Sequence, residues 1–313
     1  MQSIIKPKAL KKGNTIALIA PAGPVSQEQL TRAVNRFENL GFKVVYQNRI
    51  LDRKGYLAGN DLDRLDEIHN AFLDPGIDAI ICIRGGYGSS RIVAKLDYQL
   101  IKQNPKIFAG YSDITVLLNA IWQKAGLVTF HGIVGNSEFS EYTTQAFFNI
   151  LNNEKREAEI YNYPENVIGS IVNGKASGIL AGGNLSIIAS LMGTAYEIDF
   201  KDKIVFIEDI DEAPYRIDRM LTQLLLSGKL QKASGIVLGD FRACDIDEKD
   251  KEQKKSFTLS EVLSDRLGNL GIPVLKGFSF GHIKNQTIFP IGINAEIDTS
   301  KPYIKLTENP VSQ

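Results

Sequence analysis

The stretch Lys106-Ile107-Phe108-Ala109-Gly110-Tyr111-Ser112-Asp113-Ile114-Thr115 decides how the chain is read. Its first half is a short apolar run of the kind buried inside a sheet. Its second half opens a helix through Val116, Leu117, Leu118, Ala120, Ile121 and Trp122. Ser112 stands at the joint. A sharp strand-to-helix turn there thrusts a hydroxyl out of the sheet's end and sets free helix N–H groups beside it, where they can stabilise an oxyanion. The pattern is G-Y-S-D rather than the full G-x-S-x-G elbow, and serine is also a preferred N-cap. By itself the segment leaves a nucleophile and a plain cap both open.

Outward from this joint, strand and helix alternate. Residues 15–20, 42–46, 78–83, 106–111 and 127–130 read as strands, most of them continuous apolar runs suited to burial on both faces. Between the first two, Ser26 caps a helix whose apolar positions are Leu30, Ala33, Val34, Phe37 and Leu40, with Gly41 as its stop. A second helix, over about 61–73, carries Leu62, Leu65, Ile68 and Phe72, and Pro75-Gly76 breaks it. This alternation predicts an α/β unit with a parallel, doubly wound sheet. Ligands bind beyond the carboxyl ends of such strands. Three loops leave those ends: 21–24, 84–90 and the turn at Ser112.

At 313 residues the chain exceeds the usual single core, so two domains are expected. The first, 1–155, carries Ser112. A polar stretch with little periodicity, 156–173, reads as the linker. The second domain, 174–313, is mixed α/β with antiparallel strands. It contains a glycine-rich run at 174–184, a strand 203–207 ending at Glu208-Asp209-Ile210-Asp211-Glu212, a helix with Ile217, Met220, Leu221, Leu224 and Leu225 as its stripe, and terminal strands in 287–297 and 303–306.

Composition narrows the function. Lys+Arg and Asp+Glu balance at 36 each, so nothing global draws the chain to nucleic acid or an anionic membrane. No run approaches the ~18 apolar residues of a membrane span, and the N-terminus lacks the apolar core of a signal peptide, which favours the cytoplasm. The two cysteines, Cys82 and Cys244, make no disulfide framework, and no histidine or cysteine spacing suggests a metal site.

A serine nucleophile needs a base. His69 lies on a helix and is expected at its surface. His131 follows a strand, where it lines a pocket or hydrogen-bonds within the fold. His282 follows Gly281, whose missing side chain lets the backbone approach closely. Glu208 leaves an apolar strand and so emerges at the edge of a core; Asp211 and Glu212 are explained by the helix dipole that follows. A metal-carboxylate site at 208–212 is the alternative for this acidic run. The loop Arg84-Gly85-Gly86-Tyr87-Gly88 can present backbone N–H groups to an anion, or form a tight turn.

Together these pieces resemble the LD-carboxypeptidase family of serine peptidases, which includes muramoyltetrapeptide carboxypeptidases and microcin C immunity proteins. The resemblance rests on 17–24, the Arg84–Gly88 loop, Gly110-Tyr111-Ser112-Asp113, Leu180-Ala181-Gly182-Gly183-Asn184-Leu185, Glu208-Asp209-Ile210-Asp211-Glu212 with Tyr215-Arg216-Ile217-Asp218, and Gly277-Phe278-Ser279-Phe280-Gly281-His282. It implies a flavodoxin-like N-terminal domain and a Ser112–Glu208–His282 triad at the domain boundary. The implied reaction is hydrolysis of the amide to a C-terminal D-amino acid, as in murein tetrapeptide, by a homodimer that needs no metal or other cofactor. The oxyanion-hole candidates are the N–H groups of Gly86 and Asp113, and the candidates for the substrate carboxylate are Arg84 and Arg216. Ser279 departs from an expected proline, Ala213-Pro214 from the usual continuation of the acidic motif, and 239–244 matches imperfectly. Two other functions stay open: cleavage of a microcin C-type peptidyl nucleotide, and a non-catalytic two-lobed binding protein.

Overall fold

The computed structural model describes residues 4–152, 158–247, 249 and 253–313. The first sheet contains β1 (Thr15–Ile19), β2 (Lys43–Val45), β3 (Ala79–Cys82), β4 (Ile107–Gly110) and β5 (Thr129–His131), parallel and ordered 2-1-3-4-5. That is the flavodoxin-like order. The expected apolar runs are these strands: every residue of β3, β4 and β5 is buried, because helices cover both faces.

The second sheet has eight strands. In chain order these are β6 (Ala158–Tyr161), β7 (Gly169–Val172), β8 (Lys175–Asn184), β9 (Lys203–Ile210), β10 (Gly235–Arg242) and β11 (Val274–Lys276), followed after β12 (Phe289–Ile291) by β13 (Asn294–Asp298) and β14 (Tyr303–Leu306). β8, β9, β10 and β11 run parallel, and the outer strands pair antiparallel.

Three expectations shift here. The polar stretch 156–173 contains β6 and β7, both edge strands of the second sheet, and 156 and 157 lie outside the described residues. Edge strands need only one apolar face, so their polar composition resembled a linker. β12 leaves the C-terminal half and pairs antiparallel with β5, closing the first sheet. The halves therefore share a sheet as well as a boundary. On the helix Asp61–Leu73, Leu62 is exposed while Arg64 and Glu67 are buried. Arg64 donates to the carbonyls of Pro21 and Gly88 and pairs with Asp61, so a fully buried guanidinium ties together two of the loops at the strand ends. Among the described residues no helix is long and apolar enough to cross a membrane.

Candidate active site

β4 ends at Gly110, and Tyr111 continues extended. Ser112 then turns into the left-handed region at φ 63°, where a residue with a Cβ is strained. The turn 112–114 leads directly into the helix Thr115–Ala125. Ser112 Oγ accepts and donates no hydrogen bond among the described residues, so it does not cap this helix. The backbone is bent to present the hydroxyl rather than to satisfy the helix end, as in a nucleophile elbow.

Opposite Ser112 stands the glycine loop. A Cβ at Gly85 would lie 2.9 Å from Ser112 Cβ and 3.1 Å from its Oγ, so only glycine admits the serine at this distance. Gly86 has φ 117°, and its Cβ would lie 3.2 Å from Gly23 Cα. Gly23 N–H in turn donates to the Gly85 carbonyl at 3.2 Å. The loops after β1, β3 and β4 thus converge, and among the described residues Gly86 N–H donates to no backbone carbonyl.

The histidine arrives from the other half. His282 Nδ1 lies 2.8 Å from Glu208 Oε2. Glu208 is 0 % exposed and lies within β9 rather than just beyond it, because pairing with β8 and β10 continues past Ile207. Gly281 allows the approach: its Cβ would meet Glu208 Oε2 at 3.0 Å. The ring of Tyr111 packs edge-on against His282 at 4.9 Å between centroids, bringing the strand-end residue before Ser112 against the imidazole. Burial opposes charge on His282, but the hydrogen bond and negative charge of Glu208, with Asp209 and Asp211 beyond, outweigh it and raise the imidazole pKa. A pocket of 270 Å³ is lined by Gln29, Arg84, Gly85, Gly86, Tyr111, Ser112, Val134, Asn136 and His282. It lies at the carboxyl ends of the parallel strands, as the fold requires.

A half-buried serine on a strained turn, a histidine fixed through Nδ1 by a buried carboxylate and a backbone N–H with no carbonyl partner among the described residues can together carry out acyl transfer. Comparison with known proteins agrees. Residues 16–132 match the LD-carboxypeptidase N-terminal domain and residues 177–297 the LD-carboxypeptidase C-terminal domain. The chain belongs to the LD-carboxypeptidase family. It is 43% identical over 303 residues to a probable murein peptide carboxypeptidase of Bacillus subtilis, covering 95% of this chain and 92% of that one. The crystal structure of muramoyltetrapeptide carboxypeptidase from Oxalobacter formigenes superposes with a TM-score of 0.81 at 33% identity, over 94% of this chain and 98% of that one. The Microcin C7 self-immunity protein MccF of Escherichia coli is 29% identical over 335 residues, 97% of this chain and 96% of that one. The activity class is that of a serine carboxypeptidase, a hydrolase.

The remaining candidates divide. Arg84 lines the pocket, half-buried; its Nε donates to the Gly85 carbonyl and its Nη1 to the Pro24 carbonyl, and neither its Nη2 nor any other nitrogen pairs with a carboxylate among the described residues. Arg216 is not brought there. Ile217, Leu221 and Leu224 turn inward on the helix Pro214–Leu226, which leaves Arg216 outside, paired with Glu212 at 3.2 Å. The Asp113 carboxylate is buried and accepts from Ser89 N–H at 2.8 Å, fastening the turn to the end of the glycine loop.

The His131 side chain neither lines the pocket nor hydrogen-bonds among the described residues. It is 0 % exposed, both ring nitrogens lack partners among the described residues, and burial lowers its pKa to about 4, so it is neutral at pH 7. His69 is half-buried, its Nε2 accepting from Asp97 N–H at 3.0 Å. Around the acidic run, Asp209 is taken up by Asn184 and Ser186, and Glu212 by Arg216. No group of three metal-ligating side chains forms among the described residues.

Gln29, Val134 and Asn136 also line the pocket, and no sequence motif marks them. Gln29 stands in the first turn of the helix Gln27–Asn39, where it completes a capping box with Ser26. Ser279, where proline was expected, has its own explanation. Its hydroxyl donates to Asn162 Oδ1 at 2.7 Å and accepts from Asn166 Nδ2 at 2.8 Å and Tyr163 N–H at 3.1 Å, pinning the His282 loop to the segment after β6.

Proposed function

We propose that this chain hydrolyses the amide joining an L-configured centre to a C-terminal D-amino acid, with the D-alanine of murein tetrapeptide as the substrate class. The observation that carries this reading is the Glu208–His282 contact of 2.8 Å held at the mouth of a pocket that presents Ser112 and Arg84. The murein-directed relatives supply the substrate.

In this mechanism His282 Nε2 takes the Ser112 proton as Oγ attacks the carbonyl carbon. Glu208 holds the tautomer with Nδ1 protonated and stabilises the cation formed. The N–H groups of Gly86 and Asp113 receive the oxyanion. His282 then passes its proton to the leaving amine, and D-alanine departs. Water, deprotonated by the same histidine, attacks the acyl-enzyme and restores Ser112. Arg84 meets the substrate's terminal carboxylate. The reading places the enzyme in peptidoglycan recycling in the cytoplasm, as a homodimer.

Purified protein should release D-alanine from murein tetrapeptide, and Ser112→Ala should abolish release while leaving thermal unfolding unchanged. A mutant with full activity would remove the triad assignment. A second reading, cleavage of a microcin C-type peptidyl nucleotide, has two supports: the MccF relative, and the exposed pair Tyr56 and Tyr87, 5.5 Å apart beside Gly86, as an aromatic surface that buried Trp122 cannot provide. Toxin survival of cells with and without the gene separates the two substrates.

A further inference from the structure

The helix that follows Ser112 carries two buried polar side chains that the reaction does not use. Thr115 is 0 % exposed and Asn119 1 % exposed, in a segment otherwise packed by Val116, Leu117, Leu118 and Ile121. Both face the tail of β8. Asn119 Nδ2 donates to the Gly182 carbonyl at 2.9 Å, and Gly182 N–H donates to Asn119 Oδ1 at 3.4 Å. Asn184 N–H donates to Thr115 Oγ1 at 3.1 Å. An asparagine amide offers the donor and acceptor that one peptide unit requires, so a slip of one residue would break both bonds at once. The β8 tail is built for this approach: a Cβ at Gly183 would sit 2.5 Å from Thr115 Oγ1.

β8 leads straight to the rest of the site. Asn184 is in register with Glu208 on β9, and its side chain donates to Asp209 at 2.9 Å. The turn presenting Ser112 and the strand presenting Glu208 come from different halves of the chain, yet they meet through Thr115 and Asn119. We propose that Thr115 and Asn119 are positioning residues that lock the serine-bearing turn in register with the Glu208 strand, so that His282 reaches Ser112. This proposal rests on the triad assigned above. A buried amide and hydroxyl that served stability alone would change unfolding without changing the reactivity of folded enzyme.

The test uses the full chain and measures the rate at which a fluorophosphonate labels Ser112, with D-alanine release and thermal unfolding alongside. Thr115→Val, nearly isosteric, should slow labelling and kcat about tenfold or more at little change in KM, the scale of a misplacement below 1 Å. Asn119→Asp, which keeps the acceptor and loses the donor, should slow labelling as well. Thr115→Ser should restore the wild-type rate. In a Glu208→Gln background, Thr115→Val should add less than twofold, because the alignment it protects is already lost. Labelling of Thr115→Val within twofold of wild type, or the same slowing in both backgrounds, would overturn the proposal. Wild-type enzyme that labels but releases no D-alanine would sink the substrate assignment alone. Wild-type enzyme that does not label would sink the triad and this proposal together.

Discussion

Gly85→Ala should disable the enzyme without unfolding it. The φ of Gly85 lies outside the left-handed region, so the backbone accepts alanine. The added methyl would meet Ser112 Cβ at 2.9 Å, Ser112 Oγ at 3.1 Å and the Tyr111 carbonyl at 3.2 Å. An ordinary contact begins at 3.4 Å, so Ser112 or the loop must move by 3.4 − 2.9 = 0.5 Å. A 1 Å misplacement of reacting groups costs about a hundredfold in rate, and half of that on a logarithmic scale is about tenfold. The loop that would move also carries the Gly86 N–H. Losing one oxyanion donor costs about a hundredfold more, which sets the upper end. The expected fall in kcat is therefore between about tenfold and a thousandfold, with an overpacking cost of about 1–3 kcal/mol in stability. Steady-state release of D-alanine by protein whose folding is checked by thermal unfolding measures both. A variant with kcat within twofold of wild type would show that Ser112 is not held against the glycine loop, and the argument from close approach would fail.

Three further outcomes follow from the same geometry. His282 must be neutral to act as base, and its raised pKa places the acid limb of kcat/KM above the ordinary histidine value of 6.5. Glu208→Gln removes the negative charge behind the two largest raising causes and leaves burial opposed only by the more distant Asp209 and Asp211, so the limb should move to lower pH while kcat drops by several hundredfold or more; a drop without a shift would contradict the assigned cause. Ser112→Gly should be inactive yet more resistant to urea by up to about 1 kcal/mol, because glycine relieves the strain at φ 63° and gives part of that gain back through chain entropy; an earlier unfolding midpoint would argue against strain. Arg84→Gln should raise KM about ten- to hundredfold for a peptide with a free terminal carboxylate and leave the C-terminal amide analogue unaffected, since a charge-assisted hydrogen bond contributes about 1.5–3 kcal/mol; equal losses on both peptides would remove Arg84 from the carboxylate site.

The parallel strands of the first sheet were legible because burial on both faces demands continuous apolar runs, and 15–20, 78–83 and 106–111 are such runs. Edge strands carry no such demand, so the polar stretch 156–173 reads as a linker although it contains β6 and β7. Helical faces were legible only where apolar residues do the packing. On 61–73 a buried arginine and a buried glutamate took positions that periodicity assigns to the surface, because Arg64 finds carbonyl partners on loops distant in sequence.

Of the stretch at Ser112, the sequence by itself determined a strand, a joint and a helix, together with the chain order of Ser112, Glu208 and His282, the residues proposed as the triad. Two alternatives at Ser112 stayed open, because capping and nucleophilic attack ask for the same residue at the same joint. The tertiary structure shows no capping bond from Ser112 among the described residues, which supports the proposed nucleophile. The close approach of Gly85 to Ser112 and the 2.8 Å contact between Glu208 and His282 each bring together chain segments far apart in sequence. Local patterns encode which face of an element is buried. They do not encode which element, arriving from the other half of the chain, will stand against it.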